Sequence, residues 1–428
     1  MKNYLRQIYY EMRHQKMMTW VSISGTALSI FLVMSLFMTE QVKTAEVAPE
    51  SNRNRIMTGQ GIHVTSSTDG DGSTMGLNPN FIKKVYGNLE GVEKISYLNV
   101  WNANRDVNVK GGDAYSMSPM SVDNEFWSIF DFRFIDGRPF DEAEVSSRGK
   151  VAVVTASAAR TLFGEEKVAG REIDVDNMPY RIVGVVEDVN PLLSQTYANF
   201  YIPYLDEDTQ SNYWGGSVVR LLLKEGVDVE SVKAQVSHRY QALQREMDNE
   251  SDRLIYHGQP YTAEEMALGN FGSNNGPEID RHHNMMMIFY CVLIILPAIN
   301  LSSMTRSRLR HRVAEIGVRR AFGAKRISIV GQMFGENLII TFIGGAIGLI
   351  LSVAFIVLVS HLFFQYVGGF DPSSLLVVNA RPTFNMMFNW QNFGMAMLFC
   401  FILNLLSATV PAWRASRVEP AVALSGNH

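Results

Sequence analysis

The sequence predicts an α-helical membrane protein with four transmembrane helices and a large α+β domain outside the bilayer. Three observations carry that expectation. Residues 18–38, 285–304, about 338–364 and 393–410 contain no Asp, Glu, Lys or Arg, over the roughly 20 residues needed to cross hydrocarbon. Residues 40–283, of mixed composition, separate the first such segment from the second. Residues 305–326 hold eight Lys or Arg against one acid, Glu315. Basic charge that dense between two apolar spans marks a cytoplasmic loop, because Lys and Arg resist translocation.

Mean composition hides this segregation. A chain of 428 residues with a formal net charge of −4 and 19% charged residues would pass for a soluble protein. That balance supplies no basic excess for nucleic acid, and no such partner is expected.

Ahead of the first span, Tyr4, Leu5, Ile8, Tyr9 and Met12 recur at helical spacing, with Arg6 and Arg13 off that face. Residues 1–17 are therefore expected to lie as an amphipathic helix on the inner membrane surface. The first span, 18–39, exceeds the apolar core of a secretory signal and lacks a clean small-x-small cleavage site, so it is expected to stay as an anchor. Lys2, Arg6, Arg13 and Lys16 hold its N-terminus inside. Alternation then places 40–283 outside, a second span at 284–305, a cytoplasmic loop at 306–330 and a third span at 331–364. An outer loop at 365–391, a fourth span at 392–411 and a cytoplasmic tail at 412–428 follow. Arg414 and Arg417 agree with that tail. Cys291 and Cys400 fall within spans as small buried apolar residues, which leaves the outer domain without a disulfide framework.

In the outer domain, the polar, Gly- and Ser-rich stretch from Val42 to about Asn78 predicts a stalk and a mobile loop. Asp69-Gly70-Asp71-Gly72-Ser73 resembles the start of a calcium loop. The twelfth position, however, is Asn80 instead of a bidentate acid, so a solvated turn is expected. Asn78-Pro79 caps a helix carrying Phe81, Ile82, Val85, Tyr86 and Leu89 on one face. Strands are expected at 92–100, 106–110 and 217–224, and a helix at 228–247 with Val229, Val232, Val236, Tyr240 and Leu243 inward. Between them, Val- and Ile-rich strands at 150–155 and 180–186 flank a short helix at 156–163, with a turn at Asn177-Met178-Pro179. Strand–helix units on both sides of a strand-rich middle suggest an interrupted α+β layer.

No catalytic constellation emerges. His238 and His257 read as isolated, and the His282-His283 pair sits at the membrane edge. No Cys/His ligand spacing or carboxylate pair supports an enzyme or a bound metal.

The cytoplasmic sequence Ala314-Glu315-Ile316-Gly317-Val318-Arg319-Arg320-Ala321-Phe322-Gly323-Ala324 resembles the "EIGIRRALGA" signature of the MacB/FtsX-like ABC transporter permeases. Gln332 to Asn337 and Gly344-Gly345-Ala346-Ile347-Gly348 are similar to the start and glycine cluster of that family's third span. Pro411-Ala412-Trp413-Arg414-Ala415-Ser416-Arg417, with 420–424, resembles its closing motif. Gly137-Arg138-Pro139-Phe140 and residues 151–188 resemble motifs of its outer domain. The likeness covers nearly the whole chain except about 251–281.

This resemblance implies a porter-like α/β part, about 57–115 and 214–280, with an inserted β-rich subdomain at about 116–213. It implies a dimer of permeases, with an identical or related second copy, docked on two ABC ATPase subunits in a bacterial inner membrane. A periplasmic adaptor and an outer-membrane channel are further partners it admits. The chain contains no G-x-x-x-x-G-K-[ST], so no cofactor is expected on it, and ATP and Mg would be used by a separate ATPase. The implied mechanism is mechanotransmission: nucleotide-driven motion inside displaces the outer domain.

Residue roles follow. Glu315, Arg319 and Arg320 supply charge, and Ile316, Val318 and Phe322 apolar anchors, on an amphipathic helix that docks in an ATPase groove. Gly317 permits close backbone approach, and Gly323 stands where a C-cap would end the helix. Attraction of the same Arg residues to anionic lipid is the alternative. Gly344 and Gly348 form a small-x-x-x-small pair for close helix packing, against the fourth span or a partner permease. Glu336, at the cytoplasmic mouth of the third span, is placed to pair with Arg residues of the loop. Pro297 and Asn300 interrupt the second span. The scarcity of polar residues in the spans favours an amphipathic drug, peptide or toxin taken from the outer leaflet or outer domain. Lipoprotein release, FtsX-like regulation of a cell-wall hydrolase, and an anchored sensor without an ATPase are the competing functions.

Overall fold

The computed structural model describes residues 16–66, 72–99, 103–204, 214–246, 252–268, 277–292 and 326–364. It also describes 318, 322–323 and most of 383–402. The chain divides into two compact units, one built on the apolar segments and the other on residues 42–282 with 360–382.

In the first unit, Lys16–Thr44 forms one helix and Arg326–Phe364 another. Their stretches Thr19–Thr44 and Leu338–Leu358 are long and apolar enough to cross a bilayer. Of the expected second and fourth spans, residues 279–292 and short pieces between 390 and 402 are helical. Pro297, Asn300, Cys400, the first 15 residues and the tail lie outside the described residues. On the first helix Ile23, Ala27, Ile30, Met34 and Met38 are buried on one face, while Trp20, Val21 and Leu28 are exposed. Some of its hydroxyls bond back to their own helix, with Thr26 Oγ1 donating to the Ser22 carbonyl at 2.9 Å. Ser29 Oγ donates likewise to the Gly25 carbonyl at 2.6 Å. A helix in hydrocarbon has no water to do this for it. Cys291, expected to be buried, is exposed beside exposed Met287, Ile288 and Val292. Exposure of this kind is compatible with the expected second span, since apolar surface facing lipid would carry no penalty.

The second unit departs from expectation at its start. In place of a stalk, a short 3-10 turn at Arg53–Arg55 leads into β1 (Ile56–Gly59), β2 (Ile62–Ser66) and β3 (Gly72–Leu77). These strands are short and rich in Gly, Ser and Thr, so they carry little local strand signal. β2 and β3 pair with each other, and distant partners flank them: β14 beside β1, β15 beside β2 and β13 beside β3. Of the suspected calcium loop, residues 69–71 lie outside the described residues and Gly72-Ser73 begin β3.

The remaining strands, in order, are β4 (Val92–Asn99), β5 (Arg105–Asn108), β6 (Tyr115–Met117), β7 (Pro119–Val122), β8 (Phe134–Gly137) and β9 (Val151–Thr155). Then come β10 (Glu172–Val175), β11 (Met178–Val186), β12 (Phe200–Pro203), β13 (Trp214–Gly215), β14 (Val218–Leu223) and β15 (Asp252–Ile255). One sheet runs β1-β14-β4-β7-β12-β9-β11-β10-β5-β6, with β8 also on β11. A smaller sheet runs β13-β3-β2-β15. The middle segment is thus not separate from the flanking layer. β4 bonds to β7 with Leu98 opposite Val122, so one ladder passes through both. β5, expected with the outer layer, pairs with β10 and places Val107 in the core of the middle segment. Alternation identifies a strand but not its neighbour.

Helices cover the sheet where the apolar periodicity places them. Asn78 caps Pro79–Tyr86 by accepting from the Asn80 N–H at 2.8 Å. Phe81, Ile82, Val85 and Tyr86 pack with Val232, Val236, Tyr240 and Leu243 of helix Val229–Glu246 over Met57, Val219 and Leu221. Ile56, Leu98, Val122, Phe126, Tyr201 and Leu222 form a second core. Each large side chain so buried contributes about 1.5–3 kcal/mol. The expected turn lies one residue earlier. Asp176 and Asn177 take φ values of 47° and 63°, and Met178 and Pro179 already face Val175 and Asp174 in β11. Positive φ at both central residues suits the twist of a two-residue hairpin, and Asp and Asn tolerate it.

Asp123, just after β7, accepts from the Ser96 hydroxyl at 2.7 Å, the Tyr97 N–H at 2.8 Å and the Phe126 N–H at 3.0 Å. Burial outweighs these bonds and pushes its carboxyl up to about 6 from an ordinary 3.8. The folded state therefore holds this proton more tightly than the unfolded chain. The stabilisation from this group is complete below about pH 4 and lost as pH rises through about 6. Unfolding followed between pH 4 and 7 should show this component, on the order of 1–3 kcal/mol, in the native chain. Asp123→Asn should lack it.

Candidate functional site

The basic loop is described only at its end. Glu315, Ile316, Gly317, Arg319 and Arg320 lie outside the described residues. Val318 is helical, and its carbonyl accepts the Phe322 N–H at 3.1 Å. Gly323 then takes φ +89°, a left-handed conformation that glycine adopts without a Cβ penalty and that ends a helix. Phe322, just before it, is 88% exposed. Helix Arg326–Phe364 starts soon after and includes Glu336, whose side chain is outside the described set.

Gly344 and Gly348 sit along that helix against the first span, not the fourth. A Cβ at Gly344 would meet the Thr26 Cβ at 2.8 Å and the Ile23 carbonyl oxygen at 3.1 Å. One at Gly348 would meet the Ala27 carbonyl oxygen at 2.6 Å and the Ile30 Cβ at 3.0 Å. Gly345, between them, is the residue directed at the fourth segment, where its nearest neighbour is Met397. Phe31 and Phe355 close the same helix pair edge to face, centroids 5.4 Å apart. Close backbone approach of this kind holds helices together where no hydrophobic force acts between them.

Past the first helix the chain is fixed by a buried charge set that has no counterpart among the sequence-predicted residues. Glu50 has 0% of its surface exposed. Its Oε1 accepts from the Gln195 N–H and the Thr196 hydroxyl, both at 3.0 Å, and its Oε2 lies 3.3 Å from Arg53 Nε. Burial raises its pKa, while Arg53, Thr196 and Arg220 pull it down. Arg220, in the middle of β14 and 3% exposed, has its own pKa pushed down to about 10 by burial, with Glu50 opposing and Arg53 assisting. One signal was available: Arg220 is the single charge in the run Val-Val-Arg-Leu-Leu-Leu. A charge there must be buried, and it needs a partner.

His257 is not isolated. Its ring lies 6.3 Å from that of buried His63, and burial, then His63, lowers its pKa. Among the described residues no group of His, Cys, Asp and Glu could hold a metal ion.

Residues 19–239 match the model of the MacB-like periplasmic core domain, and residues 287–420 that of the FtsX-like permease C-terminal region. The "Macrolide export ATP-binding/permease protein MacB 2" of Aeromonas hydrophila is 24% identical over 317 residues, 72% of this chain and 43% of that protein. The "Uncharacterized ABC transporter permease YknZ" of Bacillus subtilis is 21% identical over 303 residues, 71% of this chain and 68% of that one. The chain thus spans less than half the length of the first relative. The crystal structure of the periplasmic region of MacB from Actinobacillus actinomycetemcomitans aligns with a TM-score of 0.34 at 16% identity. That alignment covers 48% of this chain and 89% of that one.

Two substitutions probe this geometry. Gly348→Leu should cost about 1–3 kcal/mol, read as a lower melting temperature of the detergent-solubilised chain. Gly394→Leu, with nothing within 4 Å of its Cβ position, should leave it unchanged. Glu50→Ala strips the carboxylate from two buried guanidinium groups and should destabilise the outer unit by about 3–5 kcal/mol, measured by thermal unfolding.

Proposed function

We propose, from the premise that this chain belongs to the MacB/FtsX family of ABC transporter permeases, that it works by mechanotransmission. A partner ABC ATPase grips the basic loop, and its nucleotide-driven motion passes through the spans to the outer domain. The observation that carries the proposal is the exposed Phe322 beside the left-handed Gly323. An apolar anchor left in water, on a turn that ends cleanly, is what helix-in-groove recognition requires of its ligand. Attraction to lipid accounts for the arginines but not for the glycine stop or for Glu315.

The remainder of the path is stiff. Gly344 and Gly348 bring backbone against the first helix, so axial motion of one helix is resisted by main chain instead of soft side chain. The cargo is proposed to be an amphipathic compound or peptide expelled from the outer leaflet or outer domain. In support, the buried hydroxyls of Thr26 and Ser29 are spent on their own helix and offer no hydrophilic path. A second permease copy completes the assembly, and ATP and Mg are bound by the partner.

Glu315→Lys combined with Arg319→Glu should weaken docking by about 2–5 kcal/mol and abolish stimulation of the partner ATPase, with membrane insertion intact. Undiminished coupled ATP turnover in reconstituted complexes overturns the docking role. Cysteines at Ser194 and Ser328 should react with an impermeant thiol reagent from opposite faces of the membrane. Reaction from the same face overturns the topology.

A further inference from the structure

In the outer unit, a cleft of about 340 Å³ opens between the capped helix Pro79–Tyr86 and the end of helix Glu142–Ser146. Its walls carry two cations, Lys83 and Arg148, and no Asp or Glu. Pro79 and Val145 give it apolar surface, and the Tyr97 and Tyr204 rings line it with polar tips. This is the composition of a small-molecule site, mostly apolar with a few convergent polar groups, at the lower end of the usual size range.

Four features mark the cleft as built for an anion. Lys83 forms no ion pair with any described residue. Glu144, on the helix that ends at the cleft, does not line it and is engaged by Arg138 at 2.8 Å and Arg181 at 3.7 Å. Arg148 sits at φ +53°, a conformation that costs an L residue roughly 1–2 kcal/mol, although Gly149 follows it directly. A cationic side chain kept at a strained position points to use of that side chain. The walls are also rigid. Asp141 and Glu144 close a reciprocal cap on helix Glu142–Ser146, the Arg148 N–H donates to the Val145 carbonyl at 3.0 Å, and the Tyr204 hydroxyl meets Ser217 Oγ at 2.6 Å.

We propose that this cleft binds a small soluble amphiphile with an anionic head, a carboxylate or phosphate, on a short apolar body. Lys83 and Arg148 hold the head, and Pro79, Val145 and the tyrosine rings cover the body. The volume admits a head and a short tail but not the paired acyl chains of a membrane phospholipid. As a statement about cargo, the proposal rests on the transport reading above. Binding itself is measured on the chain alone, without any ATPase, so failure here would leave the docking role untouched.

The test uses the full chain in phosphatidylcholine nanodiscs, with Cys291 and Cys400 replaced by Ala and a single reporter, Ser146→Cys, on the cleft wall. Octyl phosphate should slow maleimide labelling of the reporter saturably, by about tenfold, and octyl glucoside at equal concentration should not. Lys83→Gln with Arg148→Gln should weaken the protection about tenfold, equivalent to roughly 1.4 kcal/mol, with an unchanged melting temperature. If the double variant fails to fold, Lys83→Gln alone should still weaken the protection. Equal protection by the neutral detergent, no protection by octyl phosphate, or full protection in the folded variants overturns the proposal. Protection that appears only when phosphatidylglycerol replaces phosphatidylcholine also overturns it, because the occupant is then a membrane lipid.

Discussion

A carboxylate taken wholly out of water survives only where cations and donors replace the water it lost. Glu50 meets that condition by joining three stretches of chain far apart in sequence. Arg53 sits on its own turn, Gln195 and Thr196 come from the loop before β12, and Arg220 from the centre of β14. Two guanidinium groups around one carboxylate leave a net positive interior, so the set is intolerant of losing its acid. It lies where the chain first enters the outer unit. The entry of the polypeptide into its sheet is therefore fixed by charge before any apolar core is reached.

From there the sheet carries the constraint outward. β1 pairs with β14, β14 with β4 and β4 with β7, so the ladder continues from β1, a few residues past Glu50, to the middle segment. Arg220 faces Thr58 on one side and Ser96 on the other, and Ser96 bonds to Asp123. A polar row thus runs across the strands between two apolar cores. Breaking it at one point leaves a buried charge or hydroxyl unmatched. The row holds the register of three strands that Gly and Thr alone would specify weakly.

Much of this was legible, and the illegible parts share a cause. Helices Pro79–Tyr86 and Val229–Glu246 declare themselves through apolar spacing and caps, because their order is local. β1 and β2 do not, because Thr58 and Gly59 pair with β14 and Val64 and Thr65 with β15, partners more than a hundred residues away. The boundary of the middle segment failed for the same reason, since pairing of β5 with β10 is a tertiary fact. Glu50 and Asp123 look like ordinary surface acids until burial is known. The glycine pair was recognisable as a packing face from its spacing alone. Its partner, the first helix, was not, since a small-x-x-x-small motif states closeness without stating to what.

The proposed transmission asks two opposite properties of one chain. Where force enters, an exposed aromatic anchor must be available for a groove, and Phe322 stands exposed directly before a left-handed glycine. Where force travels, compliance would dissipate it. Close contact of Gly344 and Gly348 with backbone atoms of the first helix leaves few side-chain torsions to absorb displacement. The Glu50 set then resists shear better than an apolar contact would, because sliding an ion pair apart inside protein exposes charge to low dielectric and raises the energy steeply. Apolar surfaces slide past one another at little cost until area is lost. On this physical ground, buried charge near the start of the outer unit would stiffen that unit's own attachment of residues 50–53 to its sheet.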